Sequence, residues 1–223
     1  MKKLPVFALL CCLPCFLFAQ AEEDTPPGPK RKAYETVKSL KGGVLVVCLP
    51  SNHKKIKAFS ALLDNPQVAE NEKKRIRQQL ETTLSEGRSD NLTAIAAFRQ
   101  EYRFSDVYFA YDTAVIQLRN GATSGFFLSD ALEVNTSTTL EGKFWMLLRI
   151  GYTDATQSSG AEAFILSDSN LNELQPPFPA AIRLDNLGYL INKTLAPEIA
   201  ARKRMTKAAK KLQERLSDFY RGE

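Results

Sequence analysis

Apolar residues follow two different spacings along this chain, and the spacing changes near residue 106. Between residues 54 and 102 they recur at every third or fourth position, which is the period of amphipathic helices. From residue 106 to residue 184 they form short runs rich in aromatic and β-branched side chains, which favour strands. The order of these segments predicts an α/β domain, with an α+β arrangement as the alternative.

One apolar run precedes the helical segment and predicts the centre of the sheet. Val44–Leu49 reads VLVVCL and lies between two glycines and a proline. A continuous apolar run of this length is typical of a strand that is covered on both faces. Residues 51–53 then form the loop that leaves the carboxyl end of this strand.

The segment 54–102 predicts three helices. Asn65-Pro66 separates the first from the second, the region around Gly87 separates the second from the third, and Asp90 is suited to cap the third. The apolar stripes of the three helices consist of Ile56, Phe59 and Leu63; Ile76, Leu80 and Leu84; and Leu92, Ile95, Phe98 and Tyr102. The charged positions between these stripes are interpreted as faces exposed to water.

The segment after residue 106 predicts a series of strands. They cover residues 107–111, 115–118, 125–128, 144–150, 163–166 and 180–184. Short connections rich in Gly, Ser, Asn and Pro favour hairpins, whereas the long helical crossover after the first strand permits parallel pairing. We therefore expect a mixed sheet of five to six strands flanked by helices.

The last predicted helix begins at Pro197 and ends near Tyr220. Its apolar stripe consists of Ile199, Met205, Ala209, Leu212, Leu216 and Phe219. The other faces carry seven cations, of which Glu214 and Asp218 offset two, and they offer a surface for an acidic envelope protein or an anionic surface. The residues chosen for this partner surface are Arg204, Lys207, Lys210 and Lys211. The pattern favours a basic face that only stays in water over this partner surface, and direct membrane contact is disfavoured by the absence of tryptophan from the helix.

The first 21 residues have the pattern of a secretory signal peptide. Lys2 and Lys3 precede an apolar stretch over residues 4–18, which ends in the small-x-small cleavage site Ala19-Gln20-Ala21. The sequence therefore predicts export through a Gram-negative envelope, to the periplasm or beyond. The alternatives are an uncleaved membrane anchor and a lipid anchor on Cys11, Cys12 or Cys15.

Removal of this leader leaves 202 of the 223 residues and lowers the formal net charge from +5 to +3, because two lysines and no acids are lost. Residues 22–33 contain three prolines and no large apolar side chain. This composition predicts a flexible tether. Residues 34–223 then form one α/β domain. The small charge excess does not indicate nucleic-acid binding, and no later segment is apolar enough to be predicted as a transmembrane helix.

Cysteine usage excludes a redox pair in the mature chain. Cys12 and Cys15 have the spacing of such a pair, but both belong to the leader. Cys48 is the cysteine that remains, and its apolar neighbours predict a small buried hydrophobe instead of a reactive thiol. A thioredoxin-like fold without redox cysteines is a further alternative for the domain.

Candidate catalytic residues follow the ends of predicted strands. Ser51 and His53 follow the first strand, Asp112 the second, and Asp168 a later one. Because ligand sites in α/β sheets form outside the carboxyl ends of parallel strands, these four residues are candidates for a small hydrolase-like site. The chain lacks G-x-S-x-G and H-E-x-x-H motifs and a phosphate-binding glycine loop, so no cofactor and no metal is predicted.

Three stretches carry a resemblance to known sequences. At residues 42–47 (GGVLVV), 104–109 (FSDVYF) and 177–179 (PFP), the chain resembles uncharacterised secreted proteins of Bacteroidota. The resemblance covers most of the mature domain and implies export, but it implies no activity or site. With the lack of a catalytic motif, the sequence favours an exported, non-catalytic binding or interaction module, and the alternative is the hydrolase-like enzyme.

Overall fold

The fold is built on a mixed β-sheet, seen in a computed structural model that describes residues 28–153, 160–174, 176–179, 181–185, 189 and 196–222. The helices are α1 (Pro29–Lys41), α2 (His53–Asp64), α3 (Glu70–Glu101), α4 (Val115–Arg119) and α5 (Pro197–Arg221). The strands are β1 (Val44–Leu49), β2 (Asp106–Tyr111), β3 (Phe127–Leu128), β4 (Trp145–Tyr152), β5 (Glu162–Ser167) and β6 (Ala181–Arg183).

The six described strands are arranged in the order β3-β2-β1-β4-β5-β6. The central strand β1 is parallel to both β2 and β4, whereas β3, β5 and β6 pair antiparallel with their neighbours. This confirms the prediction of a mixed sheet flanked by helices in an α/β fold. The helical connection from β1 to β2 supplies the crossover that parallel pairing requires.

Both faces of β1 are buried, as its continuous apolar sequence predicts. Because side chains alternate along a strand, Leu45, Val47 and Leu49 face one layer of core, while Val44, Val46 and Cys48 face the other. The first layer lies beneath α1, α3 and α5, and Phe98 of α3 is fully buried in it. The second layer lies beneath α4 and the segment that leads from it through β3 to β4.

The segment between β1 and β2 forms two helices instead of the three predicted. Helix α3 has 32 residues and continues through Gly87 without a break. Gly87 lies against the loop after β1, since a Cβ at this position would come within 2.7 Å of Asn52 Nδ2. The glycine therefore permits close approach of loop and helix, and Asp90 lies inside α3 instead of capping a new helix.

Residues 115–118, predicted as a strand, form helix α4. The run is too short for its period to distinguish strand from helix. Ala114 and Leu118 are buried one helical turn apart, and Ile116 between them is 67% exposed. Residues 125–128 are also predicted as a strand, and of these four residues only Phe127 and Leu128 belong to one.

Helix α1 begins at Pro29, inside the segment predicted as a tether. Proline is favoured in the first turn of a helix, and the small residue Ala33 then packs with Val37 and Leu40 as one buried stripe. The tether prediction is therefore wrong for residues 29–33. The predicted leader and residues 22–27 lie outside the described part of the chain.

The predicted C-terminal helix is confirmed as α5, which packs against α3. Leu212 and Leu216 of its apolar stripe are fully buried. Ile199, which the stripe included, is instead 70% exposed. The stripe therefore packs against the core from Met205 onward.

Candidate functional site

The two central parallel strands separate at their carboxyl ends. The pairing of β1 with β4 ends at Val47 and Leu148, although β1 continues to Leu49 and β4 to Tyr152. On its other side β1 stays paired with β2 as far as Leu49. After β1 the chain first forms β2 on one side of β1 and later forms β4 on the other side. The gap between β1 and β4 is therefore a topological switch point. In α/β sheets ligands bind at such points.

A cavity of about 300 Å³ opens at this gap and is covered by α3 and α5. Its apolar wall includes Leu49, Ala94, Phe98, Leu148, Phe164 and Met205. The volume is at the lower limit of small-molecule sites, and a mostly apolar wall with a few polar groups is the usual composition of such sites.

A partly buried ion pair lines the cavity. Nη2 of Arg204, on α5, donates to Oε2 of Glu162, on β5. The Arg204 side chain is 10% exposed and the Glu162 side chain is 30% exposed. The guanidinium carbon lies 4.7 Å from the centre of the Tyr189 ring, within the range of a cation–π contact. The cavity wall thus holds a positive and a negative group next to each other.

Helix α3 contributes the polar residues Asp90, Asn91 and Thr93 to the wall. Asn91 is 4% exposed, and its Nδ2 donates to the carbonyl oxygen of Pro50 at 3.0 Å. Pro50 follows the last residue of β1, where the sheet no longer supplies partners for the backbone. The amide of Asn91 therefore fixes the end of β1 against the helix that covers the cavity.

The loop after β1 brings together three of the four candidate catalytic residues, Ser51, His53 and Asp112. The backbone N–H of Ser51 donates to Oδ1 of Asp112 at 3.1 Å, and the backbone N–H of His53 donates to Oγ of Ser51 at 3.2 Å. Asn52, between them, has φ 55°, the left-handed conformation that asparagine tolerates. In these contacts Ser51 and Asp112 support the backbone of the loop, and His53 is the exposed first residue of α2.

Asp168 lies at the opposite end of the sheet, which corrects its expected place beside the other three. Strand β5 runs antiparallel to β4, and Ser167 pairs with Leu147 near the start of β4. Oδ1 of Asp168 accepts hydrogen bonds from the backbone N–H groups of Asn170 and Asn172, at 2.9 and 2.8 Å. The carboxylate therefore organises a local turn, and the four residues do not converge.

Cys48 is buried, as the sequence predicts, with 5% of its surface exposed. Burial raises the pKa of the thiol to about 12, and the negative charge of Asp112 contributes to the increase. The thiol therefore keeps its proton over the physiological pH range. This state is typical of a structural cysteine and unfavourable for a nucleophile.

One of the four residues predicted to form the partner surface on α5 does not lie on the exposed face of the helix. Arg204 points inward to Glu162, as described above, and is not part of the exposed basic face. Lys207 is exposed and pairs with Asp185 at 3.0 Å, and Lys210 lies 4.0 Å from Glu214. With the exposed Lys211 these lysines form what we call the α5 lysine surface, whose role as a partner surface remains a prediction.

The polar residues of the cavity wall are not predicted by the sequence pattern. The pattern predicts Arg204 to be a surface cation, and it carries no functional signal for Glu162 or Asn91. One signal was present, since Ala200 and Ala208 lie four residues to either side of Arg204 and are both buried. This spacing places Arg204 on the packed face of the helix.

The described residues contain no group of three or more His, Cys, Asp and Glu side chains arranged to hold a metal ion. None of the described helices combines the length and the apolar character needed to cross a membrane. Comparison of the chain with protein-family models, curated proteins and solved structures finds no match.

Proposed function

We propose that this protein is an exported, non-catalytic binding protein that takes a small ligand into the cavity between β1, β4, α3 and α5. The observation that carries the proposal is the separation of β1 and β4 at the switch point, beneath two helices and next to the Arg204–Glu162 ion pair. The proposal of export rests on the leader over residues 1–21.

The chemistry of the cavity wall supports binding. Its apolar residues offer a surface that a ligand can desolvate, and its ion pair offers groups that fix orientation. Cys48 at the edge of the cavity keeps its proton because burial raises its pKa to about 12. Arg204 is held by a carboxylate and by an aromatic ring, so its geometry suits recognition.

A substitution that fills the cavity tests this proposal. Ala201 lines the cavity from α5 and is only partly exposed, so Ala201→Phe would place a ring in the space that the ligand needs. The matched control is Ala96→Phe on α3, because Ala96 is exposed and is not part of the cavity wall.

The measurement is the shift in Tm of the purified protein across a library of small metabolites, followed by calorimetry on the compounds that raise the Tm. We expect at least one compound to stabilise the wild-type protein and Ala96→Phe but not Ala201→Phe. The proposal fails if no compound binds, or if binding is the same in Ala201→Phe as in the wild type.

A further inference from the structure

We infer that the ligand of this cavity is an uncharged, largely apolar small molecule. The inference rests on the proposed function and names the class of compound that the cavity would take. Its basis is that the charged side chains of the wall already have partners within the protein, so that the apolar side chains are the surface offered to a ligand.

The charged side chains of the cavity wall balance one another. They are Asp90, Arg149, Glu162 and Arg204, two negative and two positive, so the formal charge of the wall is zero. Arg204 pairs with Glu162, and Arg149 pairs with Glu173. Asp90 is exposed and also has a partner. A charged ligand would therefore compete with a partner that is already in place.

This balance disfavours ligands of either charge sign. An ionised group loses its hydration when it enters the cavity, and a wall of zero net charge offers no net attraction in return. An anion that displaced Glu162 from Arg204 would leave that carboxylate without its partner, and a cation that displaced Arg204 would leave the guanidinium so. A neutral hydroxyl costs much less to take out of water, so it can lie beside the ion pair while both partners keep each other.

The amide of Asn91 is committed in the same way, because its Nδ2 donates to the carbonyl oxygen of Pro50. Loss of this hydrogen bond would release the end of β1 from α3. The polar side of the wall thus holds the protein together, and the energy of ligand binding has to come from apolar contact.

The apolar side of the wall is suited to such contact. Phe98, Leu148 and Phe164 are each 2% exposed or less, and the ring centres of Phe98 and Phe164 lie 5.5 Å apart. Leu49 and Ala94 extend this surface on β1 and α3. A volume of about 300 Å³ limits the ligand to a small molecule, whose affinity should rise with the apolar area that it buries.

Three compounds with the same carbon chain test the inference by calorimetry at neutral pH. Hexanol is uncharged, hexanoate is an anion, and hexylamine is protonated to a cation. We expect hexanol to bind the wild-type protein about tenfold or more tightly than either ion, because the ions lose more hydration. Pentanol and butanol should each bind about fourfold more weakly than the next longer alcohol, since each buries one methylene less.

A variant that removes the charge balance provides a second test. Glu162→Gln leaves the positive charge of Arg204 without its carboxylate, so it should raise the affinity for hexanoate relative to hexanol by about tenfold. The matched control is Glu214→Gln, which removes the same charge from the exposed side of α5, outside the cavity wall. It should leave this ratio unchanged. An equal ratio in the two variants would contradict the role given to the ion pair, and the wild-type comparison decides the question if Glu162→Gln does not fold.

The outcomes separate the two proposals. If hexanoate or hexylamine binds as tightly as hexanol and Ala201→Phe blocks the binding, the inference is overturned and the proposed function stands. The same holds if only charged compounds of the metabolite library bind in the cavity. If no compound of any class binds, or if Ala201→Phe leaves all binding unchanged, both proposals fail.

Discussion

Gly43 and Phe144 are in such close contact that a side chain on Gly43 would overlap the carbonyl oxygen of Phe144. The same carbonyl accepts the backbone N–H of Val44 at 2.9 Å, and the carbonyl of Gly43 accepts the N–H of Asp106 at 3.2 Å. The start of β1 is thus fixed to its neighbours through backbone atoms that leave no space for a Cβ.

We therefore predict that Gly43→Ala lowers the free energy of unfolding by about 1–3 kcal/mol, the usual cost of overpacking. The control is Gly42→Ala, because a Cβ at Gly42 meets no atom within 4 Å and its φ of −97° suits any residue. Gly42→Ala should change stability by less than about 0.5 kcal/mol. Urea denaturation of both variants measures the difference, and equal effects would contradict the contact described above.

The amide of Asn91 gives a second prediction. Asn91→Ala removes the hydrogen bond to the Pro50 carbonyl and leaves that oxygen without this buried donor. We expect a loss of about 1–3 kcal/mol in unfolding free energy. Gln78→Ala, at an exposed position of the same helix, should have little effect. If Asn91→Ala were as stable as Gln78→Ala, the amide would not hold the end of β1.

The thiol of Cys48 predicts a dependence of stability on alkaline pH. Its pKa is about 12 in the folded protein, against an ordinary value near 8.5. Below the ordinary value both states carry the proton and nothing is lost. Between the two values the unfolded chain releases its proton and the folded chain retains it, so folding becomes less favourable by about 1.4 kcal/mol per pH unit.

The difference between wild type and Cys48→Ala isolates this contribution, because other groups that titrate at alkaline pH, Tyr102 among them, are common to both. Urea denaturation at pH 7, 9 and 10 should show the wild type losing more stability above pH 8.5 than Cys48→Ala does. A parallel pH dependence in the two proteins would mean that the thiol titrates normally in the fold.

The α5 lysine surface leads to a prediction about binding to anionic surfaces. The triple variant Lys207→Glu, Lys210→Glu and Lys211→Glu should reduce binding to vesicles that contain phosphatidylglycerol, since positive charges near an anionic surface each contribute about 1 kcal/mol. The control reverses Lys54, Lys55 and Lys57, which are exposed on α2 and give the same change in net charge. Sedimentation with vesicles at low salt measures both, and equal losses would assign the effect to net charge alone.

The sequence was informative where one physical cause determines the structure. Val44–Leu49 has no polar residue, so a strand with both faces buried is its one favourable arrangement, and the structure has it. Helix α5 shows a clear helical period and was predicted almost to its last residue. In both cases a single property of the local sequence sufficed.

Predictions failed where contacts distant in sequence decide the outcome. Gly87 resembles a helix break, but the approach of Asn52 gives the glycine a role inside a continuous helix. Asp168 was placed with Ser51 because the direction of β5 cannot be read from its own residues. The ion pair between Glu162 and Arg204 joins residues 42 positions apart, and neither residue alone indicates a cavity.

The burial of both faces of β1 has a consequence for how the domain loses its structure. Val47 belongs to the core beneath α3 and α5, while its neighbour Val46 belongs to the core beneath α4, so the two layers share one strand. Neither layer can lose β1 without exposing the other to water. We therefore expect both layers to unfold in a single cooperative transition, with no intermediate in which one of them survives alone.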